Sequence, residues 1–173
     1  MLKNKTHLIL ALLYAASQEE NEYGKIEGIT RLEKLLFLID REARLTNWNR
    51  ITDKFDFKPY LMGPFSSEIY DEIDFLESLG LINTKKIGTK FPSESVEGKL
   101  FFSNQILDKY QKSEVIDTEE TKTYELSEQG KQIAKSIFEK LPQTDKEYLI
   151  ELKKKYSKMN LKHLLRYIYQ KYP

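Results

Sequence analysis

The amino-acid sequence predicts an α+β fold that is mainly α-helical. Most of the chain shows apolar residues at helical spacing, and one predicted helix ends at Leu79-Gly80, where the apolar pair Leu81-Ile82 begins an extended run. A second extended run, at 123–126, precedes another helix start. With 173 residues, of which 40% are hydrophobic, the chain is long enough for one domain with a buried core.

The first two helices are predicted from their apolar patterns. Residues 4–18 carry apolar side chains almost all round, which is typical of a central, buried helix. After a polar loop at 19–28, a second helix should start at Thr30, because Glu33 stands three positions later, at capping-box spacing. The expected buried face of this helix consists of Leu32, Leu35, Leu36, Ile39 and Ala43.

The middle of the chain leads into a third helix. Residues 46–54 are interpreted as a loop, and 55–62 as a short extended segment that ends at the Gly63-Pro64 turn. Ser66 or Ser67 can cap the third helix, which should run to about residue 79. A glycine directly after it provides the stop signal.

Two short strands, near 81–86 and 121–126, are predicted on either side of the least regular part of the chain. Residues 83–123 contain seven lysines and seven acidic residues and lose the helical spacing. We therefore expect an extended, partly mobile insertion between the strands. Ser127 should cap a fourth helix that ends before Pro142.

The order of these elements outlines a winged helix-turn-helix-like domain. Three helices are followed by a β-hairpin, and a further helix starts after the hairpin. We assign this domain to residues 1–142, with 83–123 as an inserted wing. The remaining residues, 143–173, should form two extra C-terminal helices packed on or beside the domain, the last of them capped by Asn160.

The composition excludes several classes of function. The chain has no cysteine, which rules out disulfides, thiolate metal sites and a cysteine nucleophile. Two histidines leave little material for a metal site or a catalytic triad, and neither a phosphate-binding glycine motif nor a nucleophile elbow is present. We therefore predict a protein that is not an enzyme and holds no metal or cofactor.

The amino terminus begins with two lysines and a short apolar run, an arrangement that superficially matches a signal peptide. Residues 17–20, Ser-Gln-Glu-Glu, do not provide the small-residue cleavage site that such a peptide needs, and the run is too short to span a bilayer. A buried first helix is the better interpretation. We expect a soluble, cytoplasmic protein that does not contact membranes.

The third predicted helix has an apolar and an acidic face. The core-facing side is expected to consist of Phe65, Ile69, Ile73 and Leu76. No Lys or Arg occurs from residue 65 to residue 79, which argues against insertion into a DNA groove. This face is either a docking surface for a basic protein partner or simply a solvated helix face. Its candidate contact residues are Ser67, Asp71, Asp74 and Ser78.

The carboxyl-terminal segment is strongly basic. Residues 146–173 hold eight Lys or Arg against two Glu, so their net charge is +6, and the total of +1 leaves −5 for residues 1–145. Such a segment suits the phosphates of duplex DNA or an acidic partner; the alternative is an amphipathic helix that packs on a second subunit in a homodimer. The candidate contact residues are Lys153, Lys154, Lys155, Lys158, Lys162 and Arg166, with Lys85, Lys86 and Lys90 of the wing.

Two segments carry a resemblance to a known family. The first, Arg31-Leu32-Glu33-Lys34-Leu35-Leu36-Phe37, lies in the second helix, and the second runs from Phe57 to Tyr70 through Gly63-Pro64-Phe65-Ser66. Over residues 29–82 the chain resembles the Panacea antitoxin domain, also called the SocA-like domain, and its YwgA-type prokaryotic relatives. The resemblance implies a winged-helix-like fold and a binding role, with toxin neutralisation as one precedent, and it supplies no catalytic residues.

Two functional hypotheses follow. In the first, the chain is a non-enzymatic winged-helix interaction module of the antitoxin or adaptor kind, and its partner is a protein such as a toxin or a defence component. The alternative is a DNA-binding transcriptional regulator that contacts double-stranded DNA through the C-terminal basic region and the wing. The acidic third helix favours the first hypothesis over the second, because acidic side chains attract a basic protein and repel the phosphates of DNA.

Overall fold

The computed structural model describes residues 2–15, 24–52, 54–60, 63–86, 122–157 and 159–172. These residues form a mainly helical α+β fold with six α-helices and one three-stranded antiparallel sheet, which confirms the predicted class. Most of the expected wing insertion, at 87–121, lies outside the described residues. None of the described helices has both the length and the apolar character needed to cross a membrane.

The described elements are six α-helices, three short strands and one 3-10 helix. The helices are α1 (Lys5–Tyr14), α2 (Ile29–Glu42), α3 (Ser67–Ser78), α4 (Glu128–Glu139), α5 (Gln143–Tyr156) and α6 (Leu161–Lys171). The strands are β1 (Lys25–Glu27), β2 (Ile82–Lys86) and β3 (Lys122–Leu126). A short 3-10 helix at Trp48–Arg50 buries the indole ring of Trp48.

β3 is the central strand of the sheet, and β1 and β2 both run antiparallel to it. Tyr124 of β3 lies opposite Ile26 of β1 and Thr84 of β2. The hairpin strands β2 and β3 confirm the two predicted strands to within about one residue at each end. The sequence did not predict β1, because three residues between two glycines show no period, and only their pairing with β3 makes them a strand.

α1 lies at the centre of the core, as its all-round apolar pattern predicts. Residues 8–13 are all buried, and the Asn4 side chain caps the helix by accepting a hydrogen bond from the His7 amide. The helix ends at Tyr14, four residues before the predicted end. The other elements pack around α1 and cover it.

Two details predicted for α2 are wrong. The helix begins at Ile29 with Gly28 as its N-cap, so Thr30 does not open a capping box. Glu33 is buried, and its carboxylate contacts the start of α3 rather than its own helix end. Ala43 is not on the buried face: it is the exposed C-cap residue, with a left-handed φ of 50°, because the chain leaves the helix there.

α3 has the phase that the helical wheel predicts. Ile69, Ile73 and Leu76 are buried, whereas Asp71 and Asp74 are exposed. Phe65, expected in the core, is only half-buried, because it precedes the helix and lies in the preceding turn. The 3.6-residue period therefore decides which side chains α3 presents to solvent.

The junction between α3, the hairpin and α4 is tightly packed. Gly80 adopts a φ of +72°, which glycine reaches without strain, and the chain turns there into β2. The Ser127 hydroxyl accepts a hydrogen bond from the Gly130 amide (2.9 Å) and donates one to the Gly80 carbonyl (2.6 Å), which confirms the predicted cap. Gly130 lies so close to β2 that a Cβ there would stand 2.0 Å from the Leu81 carbonyl oxygen.

α5 and α6 share one hydrophobic core with the rest of the fold. Their core residues include Tyr148, Leu149, Leu152, Tyr156, Leu164 and Ile168. Polar contacts reinforce this packing: Arg31 donates to the Tyr156 carbonyl (2.8 Å), and the buried Asp145 carboxylate accepts hydrogen bonds from the amide and hydroxyl of Thr46. Asn160 caps α6, as predicted. The C-terminal helices are therefore an integral part of the packed structure.

Candidate functional site

The exposed side of α3 carries a row of polar and acidic side chains. Ser67, Asp71, Asp74 and Ser78 are all exposed, and their spacing of four, three and four residues places them in one line. We call these four residues the acidic stripe. Within the described part of the chain, neither Asp71 nor Asp74 forms an ion pair. The structure therefore brings together the residues that the sequence predicts for this surface.

The carboxylates beside the acidic stripe have partners on α1. Glu68 lies 3.5 Å from the Lys5 ammonium, and the Thr6 hydroxyl donates to the Glu72 carboxylate at 2.6 Å. On the opposite side, burial and the nearby carboxylates Glu77 and Asp74 raise the pKa of Tyr124 to about 12. Carboxylates of α3 therefore lie close to the central strand of the sheet.

Two large apolar side chains lie next to the acidic stripe. Phe75 is 51% exposed and Leu79 is 50% exposed. Phe75 follows Asp71 by four residues, so the two side chains are neighbours on the helix surface. The sequence interpretation did not include this pair in the surface. The helical wheel contained a signal for Phe75, because this residue falls outside the buried arc of Ile69, Ile73 and Leu76. Exposed aromatic and aliphatic side chains among charges are typical of protein docking surfaces.

A buried ion pair fixes the start of α3. Lys34 donates hydrogen bonds of 2.6 Å to Glu33 and to the Pro64 carbonyl, and the Ser66 amide donates to Glu33 at 3.2 Å. We call Glu33, Lys34, Pro64 and Ser66 the turn clamp. Ser66 occupies the predicted N-cap position, but its hydroxyl makes no capping hydrogen bond. The clamp connects α2 directly to the turn from which α3 begins.

The electrostatics of the turn clamp follow from its burial. The side chains of Lys34 and Glu33 are only 1% and 4% exposed. Burial raises the pKa of Glu33 and lowers the pKa of Lys34, because water does not solvate either charge. The opposite charge of the partner residue makes each of these two shifts smaller. The sequence interpretation placed Glu33 at a helix end and did not single out Lys34; nothing local in the sequence indicates that either is buried.

The Gly63-Pro64 turn also contacts α6. Gly63 adopts a φ of +88°, and a Cβ there would meet the Lys34 side chain at 3.3 Å and Leu165 at 3.8 Å. The Tyr169 hydroxyl lies near the backbone of Gly63. The turn therefore lies where α2, the start of α3 and the last helix meet.

The predicted basic patch is smaller than the sequence suggests. Lys153 is not part of it: its side chain is fully buried and donates to the Leu13 carbonyl at the end of α1. Lys154, Lys155 and Arg166 are exposed and Lys162 is half-buried, while Lys158 lies outside the described residues. Of the three lysines predicted for a wing, Lys86 is exposed, Lys85 pairs with Glu125 at 3.2 Å, and Lys90 lies outside the described residues.

The described residues offer no obvious site for metal chemistry. Within 2–15, 24–52, 54–60, 63–86, 122–157 and 159–172, no group of three or more His, Asp or Glu side chains is placed to hold a metal ion. The buried polar groups described above are engaged in contacts between structural elements. Their arrangement positions the helices relative to one another.

Comparison with protein-family models, curated proteins and solved structures found no significant match.

Proposed function

We propose that the chain is a non-enzymatic winged-helix interaction module that binds a protein partner through the exposed face of α3, as an antitoxin or an adaptor does. One observation carries this proposal. The exposed face of α3 combines the carboxylates Asp71 and Asp74 with the half-exposed apolar side chains Phe75 and Leu79, and the helix contains no Lys or Arg.

The winged-helix assignment is supported by the element order and the sheet. The chain runs α1, β1, α2, α3, β2 and β3, and β1 pairs with the second strand of the hairpin. This order and pairing support a winged helix, in which the third helix is the usual reading element. The two segments that carry the antitoxin resemblance meet at the turn clamp, which fixes where this helix begins.

The chemistry of α3 favours a protein over nucleic acid. A helix in a DNA groove lies among phosphates, where two unpaired carboxylates are repelled and where cationic or amide side chains are needed for base contacts. A protein partner with basic and apolar side chains satisfies both features of the surface: it neutralises Asp71 and Asp74 and covers Phe75 and Leu79. We therefore expect the partner to present a basic segment with at least one apolar anchor.

The exposed cations of α5 and α6 favour a second function, DNA binding. Lys154, Lys155 and Arg166 are exposed on these helices. A few phosphate contacts of this kind give weak, salt-sensitive binding without sequence preference. Because Lys153 is buried, the patch available for this role has lost one of its predicted members.

Affinity capture from cells of the source organism, with nuclease treatment, tests the proposal. The α3 variant carries Asp71→Asn, Asp74→Asn and Phe75→Ser. The matched control on α4 carries Glu128→Gln, Glu139→Gln and Ile133→Ser, which are also exposed positions. We expect one protein to be captured by the wild type and by the α4 control and to be reduced at least about tenfold by the α3 variant.

Two results would overturn the proposal. One is a partner that the α3 variant captures as well as the wild type does, with both chains folded by circular dichroism. The other is tight binding of one defined DNA operator at physiological salt that weakens when Asp71 and Asp74 become Asn, because α3 would then be reading bases.

A further inference from the structure

Three aromatic rings form a continuous row from the Gly63-Pro64 turn to α3. The ring centroids of Tyr60 and Phe65 lie 5.0 Å apart with their planes at 34°, and those of Phe65 and Tyr70 lie 5.6 Å apart with their planes at 39°. Such spacings are typical of aromatic side chains that attract each other. We call these three residues the aromatic row. Tyr60, at its outer end, is 50% exposed, whereas the other two rings are half-buried.

Backbone hydrogen bonds hold the aromatic row in place. Lys58 and Phe65 pair through two bonds of 2.8 and 2.9 Å, and the Gly63 amide donates to the Tyr60 carbonyl at 3.2 Å. The turn clamp fixes the residues that follow. The turn is therefore preorganised by these bonds, which lowers the entropic cost of binding a ligand to it.

The inner end of the aromatic row lies among carboxylates of α3. Tyr70 precedes Asp74 by four residues, so these two side chains are neighbours on the helix surface. Tyr124 of β3 lies near Tyr70, and the carboxylates of Glu77 and Asp74 also lie near it. Both carboxylates are exposed, and within the described part of the chain neither forms an ion pair. The aromatic row and these two carboxylates therefore belong to one surface.

The lysines beside this surface have carboxylate partners of their own. α3 itself contains no Lys or Arg. Lys58, in the turn, pairs with Asp56 at 3.4 Å, and Lys5 of α1 pairs with Glu68 at 3.5 Å. The carboxylates at the inner end of the aromatic row are therefore open to a cation from another molecule.

We propose that the partner bound at α3 presents an arginine-bearing segment, which lies along the aromatic row and places guanidinium groups on the Tyr60 ring and against Asp74 and Glu77. This inference rests on the proposed function and specifies the chemistry of its partner. A guanidinium is planar and weakly hydrated, so it stacks on an aromatic ring and also bonds a carboxylate through two parallel N–H groups. A lysine ammonium is strongly hydrated and has no flat surface, so it suits the carboxylates but not the ring.

Two synthetic peptides that differ only in their cations test the inference. Each alternates alanine and leucine with a cation, which is arginine in one peptide and lysine in the other, and a terminal fluorophore reports binding to the full chain by anisotropy. We expect the arginine peptide to bind at least about threefold more tightly. Tyr60→Leu keeps an apolar side chain but removes the ring, so it should abolish this preference, whereas Tyr60→Phe should keep it. The double variant Asp74→Asn/Glu77→Gln should weaken the binding of both peptides.

The matched control is Ile133→Ala on α4, another exposed apolar position, which should change neither affinity. Equal binding of the two peptides, no binding of either, or a preference that survives Tyr60→Leu in a folded chain would overturn the inference.

Capture of the protein partner separates this failure from failure of the proposed function. If Tyr60→Leu captures the partner as well as the wild type does while the α3 variant loses it, the proposed function stands and the arginine assignment falls. If the α3 variant retains the partner, both fall.

Discussion

Replacement of Lys34 by Met should be among the most damaging single changes in this fold. The Lys34 and Glu33 side chains are 1% and 4% exposed, and the ammonium lies 2.6 Å from both the Glu33 carboxylate and the Pro64 carbonyl. Met keeps most of the side-chain volume, but it leaves a buried carboxylate without its counter-charge and a carbonyl without its donor. Such a change costs about 3 to 5 kcal/mol, a large fraction of the stability of a small domain.

The pH dependence of this loss has a defined sign. Burial already raises the pKa of Glu33 above its ordinary value of 4.5, and removal of the Lys34 charge raises it further. A group whose pKa is raised on folding favours the folded state below the unfolded pKa, and this benefit is lost as the pH rises through the folded pKa. The destabilisation by Lys34→Met should therefore be smaller near pH 4.5 than at pH 7.

Urea unfolding followed by circular dichroism, at both pH values, measures the effect. The double variant Glu33→Gln/Lys34→Met should lose less stability than Lys34→Met alone, because it buries no charge. The control is Lys135→Met on α4, where a side chain that is 58% exposed lies 3.9 Å from Glu139; we expect a loss below about 0.5 kcal/mol. Equal losses for Lys34→Met and Lys135→Met would refute the argument that the turn clamp is buried and paired.

Three further outcomes can be measured on the same protein. Gly130→Ala should destabilise by about 1 to 3 kcal/mol in urea unfolding, because a Cβ 2.0 Å from the Leu81 oxygen forces α4 away from the hairpin; wild-type stability would mean that the junction is looser than described. Ile73→Ala should cost about 2 to 5 kcal/mol and Asp74→Ala less than about 0.5, and equal losses would contradict the phase of α3. Titration with random duplex DNA should show weak binding that disappears as salt is raised, and salt-independent binding would exclude the cations of α5 and α6 as its source.

Features that depend on neighbours along the chain could be predicted from the sequence. The period of α3 predicts Ile69, Ile73 and Leu76 inside and the acidic stripe outside, because a helix repeats its faces every 3.6 residues whatever it packs against. The Ser127 and Asn160 caps were predictable for the same reason, since each side chain bonds an amide two or three residues away. The candidate docking surface is therefore largely a local property.

Which charged residues are buried depends on contacts between distant parts of the chain, and the sequence did not predict it. Lys153 stands in a run of three lysines that a sequence pattern assigns to solvent, yet it donates to a carbonyl of α1, 140 residues earlier. Lys34 and Glu33 are buried because a turn 30 residues later supplies the oxygen and the amide that they bond. β1 is a strand only because β3, about 100 residues later in the chain, pairs with it. A buried charge or an isolated short strand is stable only when its partner from a distant part of the chain is in place. The local sequence pattern does not identify that partner.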